Sequence, residues 1–269
     1  MPIKFSITNN EILVNQSFDS PTVYFDHWAF CEFSDDAMLQ ERFVKALNDK
    51  KGTFVLSITN ILEFTKMDDP RNAIAAENFL NRVMPNIYFT DFNLEKAIAF
   101  DSHPNFKGQR MWPSADLELL KFVVSKGQKI DFFSITHHNR SHLSEKFNQA
   151  NRNILHELEL KRDDSTYIEK VRRSTINESR QTTGIMGELI RELMIDPKAN
   201  ISENDIVDWQ HAILSIRCCD FVLLDSKWVA RAKTTKDRHR KQGLDFEFAH
   251  CFSKRKKGLY DFLNALEAF

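Results

Sequence analysis

Residues 218–228 read CCDFVLLDSKW, and this stretch decides the fold class. Phe221 to Leu224 make a short unbroken apolar run, with Asp220 before it and Asp225 directly after it. A run of that length without polar alternation reads as a strand buried on both faces, the kind found in parallel sheets. Upstream, Asp205 to Cys218 carries Ile206, Trp209, Ile213 and Ile216 at helical spacing. Downstream, Trp228 to Arg240 reads as a basic helix, Phe246 to His250 as another strand, and Leu259 to Phe269 as a terminal helix. Helix and strand alternate, which is the rhythm of an α/β chain.

The N-terminal part repeats the rhythm. IKFSITNNEILV (3–14) predicts two short strands around an Asn9-Asn10 turn. TVYFDHWAF (22–30) leads β-branched and aromatic residues into Asp26, as in a buried strand that ends on an acid. A helix is expected from Ser34-Asp35-Asp36 to about Asp49, stopped by Lys50-Lys51-Gly52. Thr53 to Ile58 is a second strand, and Thr59 is the expected cap of the helix carrying Glu63. Asp69-Pro70 opens another helix, with Asp69 capping and Pro70 in the first turn. Ile87 to Phe92 is a third strand. From about 93 to 201 the pattern is almost wholly helical, with one helix around Leu117–Val123, another from Ile154 to Val171, and no strand. The expectation is an α/β fold with a mainly parallel sheet flanked by helices. It takes 1–269 as one domain, with 93–201 as a mostly helical insertion or lid.

Composition narrows the function classes. Only seven glycines occur, and neither GxxxxGK[ST] nor GxGxxG is present, so the usual nucleotide-binding fingerprints are excluded. The four cysteines (Cys31, Cys218, Cys219, Cys251) lack CxxC spacing, which argues against a zinc ribbon or a thioredoxin-type site. Cys218 and Cys219 read as small buried residues at a helix end. The N-terminus, MPIKFSITNN, lacks the apolar run of a signal peptide, and no segment approaches the roughly 20 apolar residues of a membrane helix. A reduced, cytoplasmic protein is expected. The net charge of −1 hides an asymmetry: Lys227 to Lys257 holds eleven Lys or Arg against three acids. That basic stretch is either a solvated helical face or a polyanion-binding one.

Four acids follow buried strands or sit on the adjoining helices: Asp26, Glu63, Asp208 and Asp225. In open α/β sheets the carboxyl ends of the strands form the ligand crevice, so acids far apart in sequence can meet there. Carboxylates brought together without a partner repel, and a divalent cation with hard oxygen ligands relieves this. Asp205 lies one turn from Asp208, but Ser202-x-x-Asp205 matches a capping box, so Asp205 is a secondary ligand candidate at most. His211, three residues after Asp208, reads first as a packed side chain, with orienting the Asp208 carboxylate as the alternative. His137-His138 reads as surface, because neighbours on a helix point about 100° apart. Trp28 and Trp112 read first as packed, and otherwise as platforms for bases.

The segments VYFDHWAF (23–30), LSITNILEF (56–64), NDIVDWQHAI (204–213) and CCDFVLLDSKW (218–228) together resemble the PIN-domain family in order and spacing, including the seventeen-residue step from Asp208 to Asp225. The resemblance covers roughly 20–92 and 203–250 and leaves out the helical middle. It implies a metal-dependent endoribonuclease, as in the toxins of bacterial toxin–antitoxin pairs, with RNA as substrate and an inhibitory antitoxin-like protein as a partner. It also implies that Asp26, Glu63, Asp208 and Asp225 hold Mg²⁺ or Mn²⁺. Lys227 and Arg231, at the start of the basic helix, are then the expected RNA contacts. Two departures stand out. The family usually has a small hydroxyl residue and then Asn after its first acid, where this chain has His27 and Trp28, and often Thr or Ser two residues before its last, where this chain has Leu223. These keep open a catalytically silent PIN-like module that binds nucleic acid or protein; a structure-specific DNA nuclease is the other alternative, because related folds use the same kind of carboxylate cluster on DNA.

Overall fold

The computed structural model describes residues 3–8, 11–91, 94–106, 109–125, 131–176, 181–244 and 247–269. Strands β1 (Ile3–Thr8) and β2 (Glu11–Gln16) form an antiparallel hairpin, as expected. Its Asn9-Asn10 turn lies outside the described residues. The hairpin is tied to the rest through Gln16, whose side-chain amide donates to the Phe89 carbonyl (3.1 Å) and accepts from the Phe89 N–H (2.8 Å).

The chain then runs through β3 (Thr22–Phe25), α1 (His27–Asp35), α2 (Ala37–Lys50), β4 (Thr53–Ser57), α3 (Ile58–Glu63), α4 (Pro70–Val83) and β5 (Ile87–Asp91). Next come α5 (Leu94–Ser102), β6 (Ser114–Ala115), α6 (Leu117–Ser125), α7 (Phe132–His138), α8 (Arg140–Asp163), α9 (Ser165–Arg173) and α10 (Gln181–Ile195). The last part is α11 (Glu203–Cys218), β7 (Phe221–Leu223), α12 (Ser226–Lys241), β8 (His250–Phe252) and α13 (Gly258–Ala268).

Six strands form one sheet in the order β6-β5-β4-β3-β7-β8, and every pairing is parallel except β5 with β6. Side chains alternate between its faces. Val23, Phe25, Phe54, Leu56, Phe221 and Leu223 pack into one core with α1, α2, α4, α6, α7 and α13. Tyr24, Val55 and Val222 point into the other, with α5 and α8 to α12. Both faces are covered, which is why these strands read as continuous apolar runs. The first core is a phenylalanine cluster built around Phe25, whose ring lies 4.6 Å from Phe33, 4.9 Å from Phe43 and 5.0 Å from Phe54.

Several boundaries differ from expectation for identifiable reasons. The expected helix from Ser34 is two helices. Asp26 caps α1 directly after β3, and Asp36 breaks the run by capping α2 through Met38 and Leu39 N–H. The helix carrying Glu63 starts at Ser57, where the Asn60 side chain takes the Ser57 N–H (2.9 Å), so Thr59 is not its cap. The helix expected over Ile154–Val171 divides at Asp164, which caps α9. The segment 93–201 contains β6, a two-residue strand too short to leave a periodic signature. The other regular elements among the described residues of that segment are helices, and they pack on both faces: Leu120, Val123 and Phe133 enter the first core, and Ile185 and Leu189 the second. The last strand is β8, a few residues later than Phe246–His250; residues 245–246 lie outside the described part.

Phe79 of α4 is fully buried and stacks or edges against Phe25, Phe30, Phe43 and Phe54 at 5.3–6.3 Å. Truncating such a ring leaves a cavity that its neighbours only partly refill. Phe79→Ala is expected to cost about 3–5 kcal/mol. This would be read as a lower urea midpoint with an unchanged slope. A midpoint within experimental scatter of the wild type would contradict the packing described.

Candidate functional site

The sheet begins at its centre. From β3 the chain moves outward through β4 and β5 on one side, then returns to build β7 and β8 on the other. The crevice beyond the carboxyl ends of β3 and β7 is therefore the topological switch point, where open α/β sheets bind ligands. Phe25 pairs with Leu223, and the Asp26 N–H bonds the Leu223 carbonyl at 3.0 Å. Asp26 thus leaves the sheet beside the segment that delivers Asp225. Glu63 comes from the last turn of α3, after β4, and Asp208 from α11.

These four acids line one cleft of about 340 Å³, together with His27, Trp28, Lys66 and Asn204. Their environments are unequal. Asp26 is buried, and its carboxylate accepts one backbone bond, from Ala29 N–H at 3.3 Å. Burial, reinforced by the charges of Asp225, Glu63 and Asp208, pushes its pKa well above the usual aspartate range. Asp208 accepts from Trp228 Nε1–H at 3.0 Å, yet burial lifts it to about 6, with Asp225 and Glu63 adding to the rise. Burial also pushes Glu63 upward, but the charge and hydrogen bond of His211, with help from His27 and Lys66, leave it below its ordinary value. Asp225 is exposed at the cleft.

In donor chemistry, though not in spacing, the set suits a hard divalent cation. Its donors are carboxylate oxygens, and a buried Asp26 with a single hydrogen bond among three like charges is what a cation would compensate. Among the described residues, no three His, Cys, Asp or Glu side chains stand close enough to hold an ion as they are. Three of the four carboxylates each have their own partner: Asp26 the Ala29 N–H, Glu63 His211 and Asp208 Trp228.

Asp205 is not part of the cleft. It closes the capping box, taking Ser202 N–H (3.0 Å) and Oγ–H (2.8 Å), and its other oxygen pairs with Lys227. Burial would raise its pKa, but these bonds hold it below its ordinary value. Asp205 is thus committed to starting α11. The expected RNA contacts change accordingly. Arg231 is buried, stacked on Trp228 at 4.4 Å and 3.9 Å from Asp205, so it packs instead of facing solvent. Lys227 is half exposed and engaged by Asp205.

His211 engages Glu63 at 2.6 Å, so the carboxylate it holds is Glu63, not Asp208. His27 packs edge-on against Phe64 at 4.9 Å, and Trp28 packs partly into the first core. His137 is buried against the Asp68 carbonyl while His138 is exposed, and Trp112 is exposed. Lys66 was not anticipated. Its position three residues after Glu63, one helical turn, was the available signal.

Larger hollows exist, such as the mainly apolar one of about 460 Å³ between α9 and α10, but none of the four acids lines it. No family model, no curated protein and no solved structure matches the chain.

An acid whose folded pKa exceeds its unfolded value destabilises the native state once ionised. The penalty is absent below the unfolded pKa of 3.8 and complete above the folded value of about 6. Asp208→Asn removes it while keeping an acceptor for Trp228. In chelator-treated buffer this variant is expected to be the more stable by about 2–3 kcal/mol at pH 7, at 1.36 kcal/mol per pKa unit. The advantage should fade as pH falls from 6 to 4. Parallel stability curves for the two proteins across that window would show that the Asp208 carboxylate is not held under stress.

Proposed function

We propose that this chain is a PIN-like, metal-dependent endoribonuclease whose centre is the switch-point cleft. The observation that carries the reading is the convergence of Asp26, Glu63, Asp208 and Asp225 from β3, α3, α11 and the end of β7. Order and spacing of the four motifs support it too. When bound, Mg²⁺ or Mn²⁺ would polarise the phosphoryl group and lower the pKa of a water for attack on the phosphodiester. The chain's own part is to hold. Asp26, buried, and Asp208, half-buried, are the carboxylates whose charge an ion would offset, the buried Glu63 is held by His211, and Asp225 is the exposed member of the set. No covalent protein intermediate is required.

A polyanion approaching four carboxylates also needs cations at the rim. Lys66 lines the cleft and is exposed. On the β8 side, Lys254 is exposed and bonds Glu32, and Asp225 contributes to the field that raises its pKa after the Glu32 bond. Arg255 and Lys257 follow in a single helical turn, also exposed. Gly258 closes that turn against the Ser253 carbonyl, where a Cβ would have no room. These cations, at the carboxyl edge itself, take the role first expected of Lys227 and Arg231.

Two measurements test this. Purified protein with Mn²⁺ is expected to cleave single-stranded RNA, and Asp26→Asn to abolish cleavage while RNA still binds. A fully active Asp26→Asn protein would sink the assignment, and preferential cutting of a DNA strand run alongside would shift the substrate class. In the Asp26→Asn background, Lys66→Gln with Lys254→Gln is expected to weaken RNA binding regardless of sequence. The slope of log affinity on log salt should become shallower by about 0.7 for each phosphate that is no longer neutralised. Lys227→Gln should leave that slope unchanged; the reverse pattern would return the RNA path to α12.

A further inference from the structure

A second feature of the cleft lies behind the acids. The Tyr24 hydroxyl, on the face of β3 opposite Phe25, is 2.5 Å from His211 Nδ1 and 3.1 Å from Ser57 Oγ. His211 Nε2 is 2.6 Å from Glu63 Oε2, and Ser57 Oγ–H donates to Asn60 Oδ1 at 2.9 Å. Asn60 in turn donates to the carbonyl of Phe25, the last residue of β3, at 2.8 Å. Tyr24 is fully shielded from solvent and His211 is 1% exposed, so bulk water does not compete for these bonds.

Ser57 and Glu63 stand at the two ends of α3, Tyr24 sits two residues before Asp26, and His211 three residues after Asp208. One buried chain of hydrogen bonds therefore joins three of the four elements that deliver the acids. Its bond directions follow from the donors and acceptors. An ionised Glu63 only accepts, so Nε2 of His211 carries a proton; Ser57 gives its own proton to Asn60, so the single Tyr24 proton goes either to Ser57, with Nδ1–H donating to Tyr24, or to Nδ1. Tyr24 thereby holds the ring at its far nitrogen and prevents the imidazole from turning away from Glu63.

We infer that His211 is a positioning residue, locked by Tyr24, that fixes the Glu63 carboxylate relative to Asp26 and Asp208 and so sets the geometry in which a divalent cation is held. This rests on the metal-binding reading of the cleft. Groups that orient a ligand from behind typically contribute about 10- to 100-fold in metal affinity. The His27 and Trp28 positions thereby gain a counterpart: orientation of the acids comes from α11 instead of from the residues after the first acid.

The test is calorimetric titration of Mn²⁺ into folded wild-type protein, Tyr24→Phe, His211→Gln and His211→Leu, with no substrate present. Tyr24→Phe removes one hydroxyl that does not line the cleft. It is expected to weaken Mn²⁺ binding about tenfold. His211→Leu keeps bulk but leaves Glu63 without its partner, and should weaken it by up to about 100-fold. His211→Gln restores an N–H donor and is expected to recover part of the loss. The Tyr24→Phe effect should vanish in a His211→Leu background, because it acts through the ring. Should His211→Leu not fold, Tyr24→Phe and His211→Gln still decide. Variants that lose melting temperature but bind Mn²⁺ as tightly as wild type would overturn the inference and leave the site reading intact. A wild-type protein that binds no Mn²⁺ overturns both.

Discussion

Pairing between β3 and β7 brings together segments about two hundred residues apart, and everything at the site depends on that ladder. Its two ends are treated in opposite ways. At the amino end Asp220, buried, accepts from Ser20 Oγ–H, Thr22 N–H and Thr22 Oγ–H at 2.7–2.9 Å, and from the Arg110 guanidinium. Although burial raises its pKa, these donors hold the carboxyl below its ordinary value. At the carboxyl end Asp26, just as buried, has one backbone donor and three acidic neighbours, and its carboxyl is pushed up. Two buried aspartates at opposite ends of the paired strands thus differ in their surroundings. Asp220 closes the ladder with several donors, whereas Asp26 holds one donor among like charges, and the function proposed above gives it a cation as counter-charge. Local rules that fail at one place while holding nearby mark a functional position more sharply than a perturbed group alone.

Holding a buried carboxylate among like charges requires a stiff support. Phe25 precedes Asp26 and is the centre of the phenylalanine cluster, with rings from α1, α2, α4, β4 and α13 around it. A close-packed interior resists displacement, because rings in rotamer minima have few voids to move into. The repulsion among the acids is therefore borne by packing on one face and by the Tyr24–His211 chain on the other. Arg110 extends the support to the helical middle. By pairing with Asp220 and Glu247 it anchors a segment from between α5 and β6 onto the amino edge of the sheet.

The sheet and the four acids were legible because both leave local signals. Apolar runs such as Phe221–Leu224 have no alternative to double-sided burial, and an acid straight after such a run is conspicuous. Other features were hidden because they depend on contacts between distant segments. Trp228, one turn before Arg231, was a local hint of their stacking, but Asp205 beside it comes from α11, so a cation in a basic helix looked like surface. The partner of His211 is 148 residues away, and the nearer Asp208 was the natural guess. His137 looked exposed from its polar neighbours, yet α7 turns it inward against Asp68. At Asp26 the start of α1 was obscured by its own apolar content: Trp28, Ala29 and Phe30 continue the hydrophobic run of β3, and only the capping bond from Ala29 separates strand from helix.

That merged run also explains why the positions after the first acid hold His and Trp. With α1 beginning immediately after Asp26, residues 27 and 28 occupy its first turn and are drawn toward the first core, His27 against Phe64 and Trp28 among its partly buried members. A small polar residue there would give up that packing. The polar task of steadying the acids then has to come from the opposite face of the sheet, where the side chain of Tyr24 points because strand residues alternate. The wall behind that hydroxyl is α11, the helix that also carries Asp208, and a histidine one turn beyond Asp208 reaches both Tyr24 and Glu63. An aromatic first turn on one face and a buried tyrosine–histidine chain on the other are, in this reading, two halves of a single arrangement. Each constrains what the other position can hold.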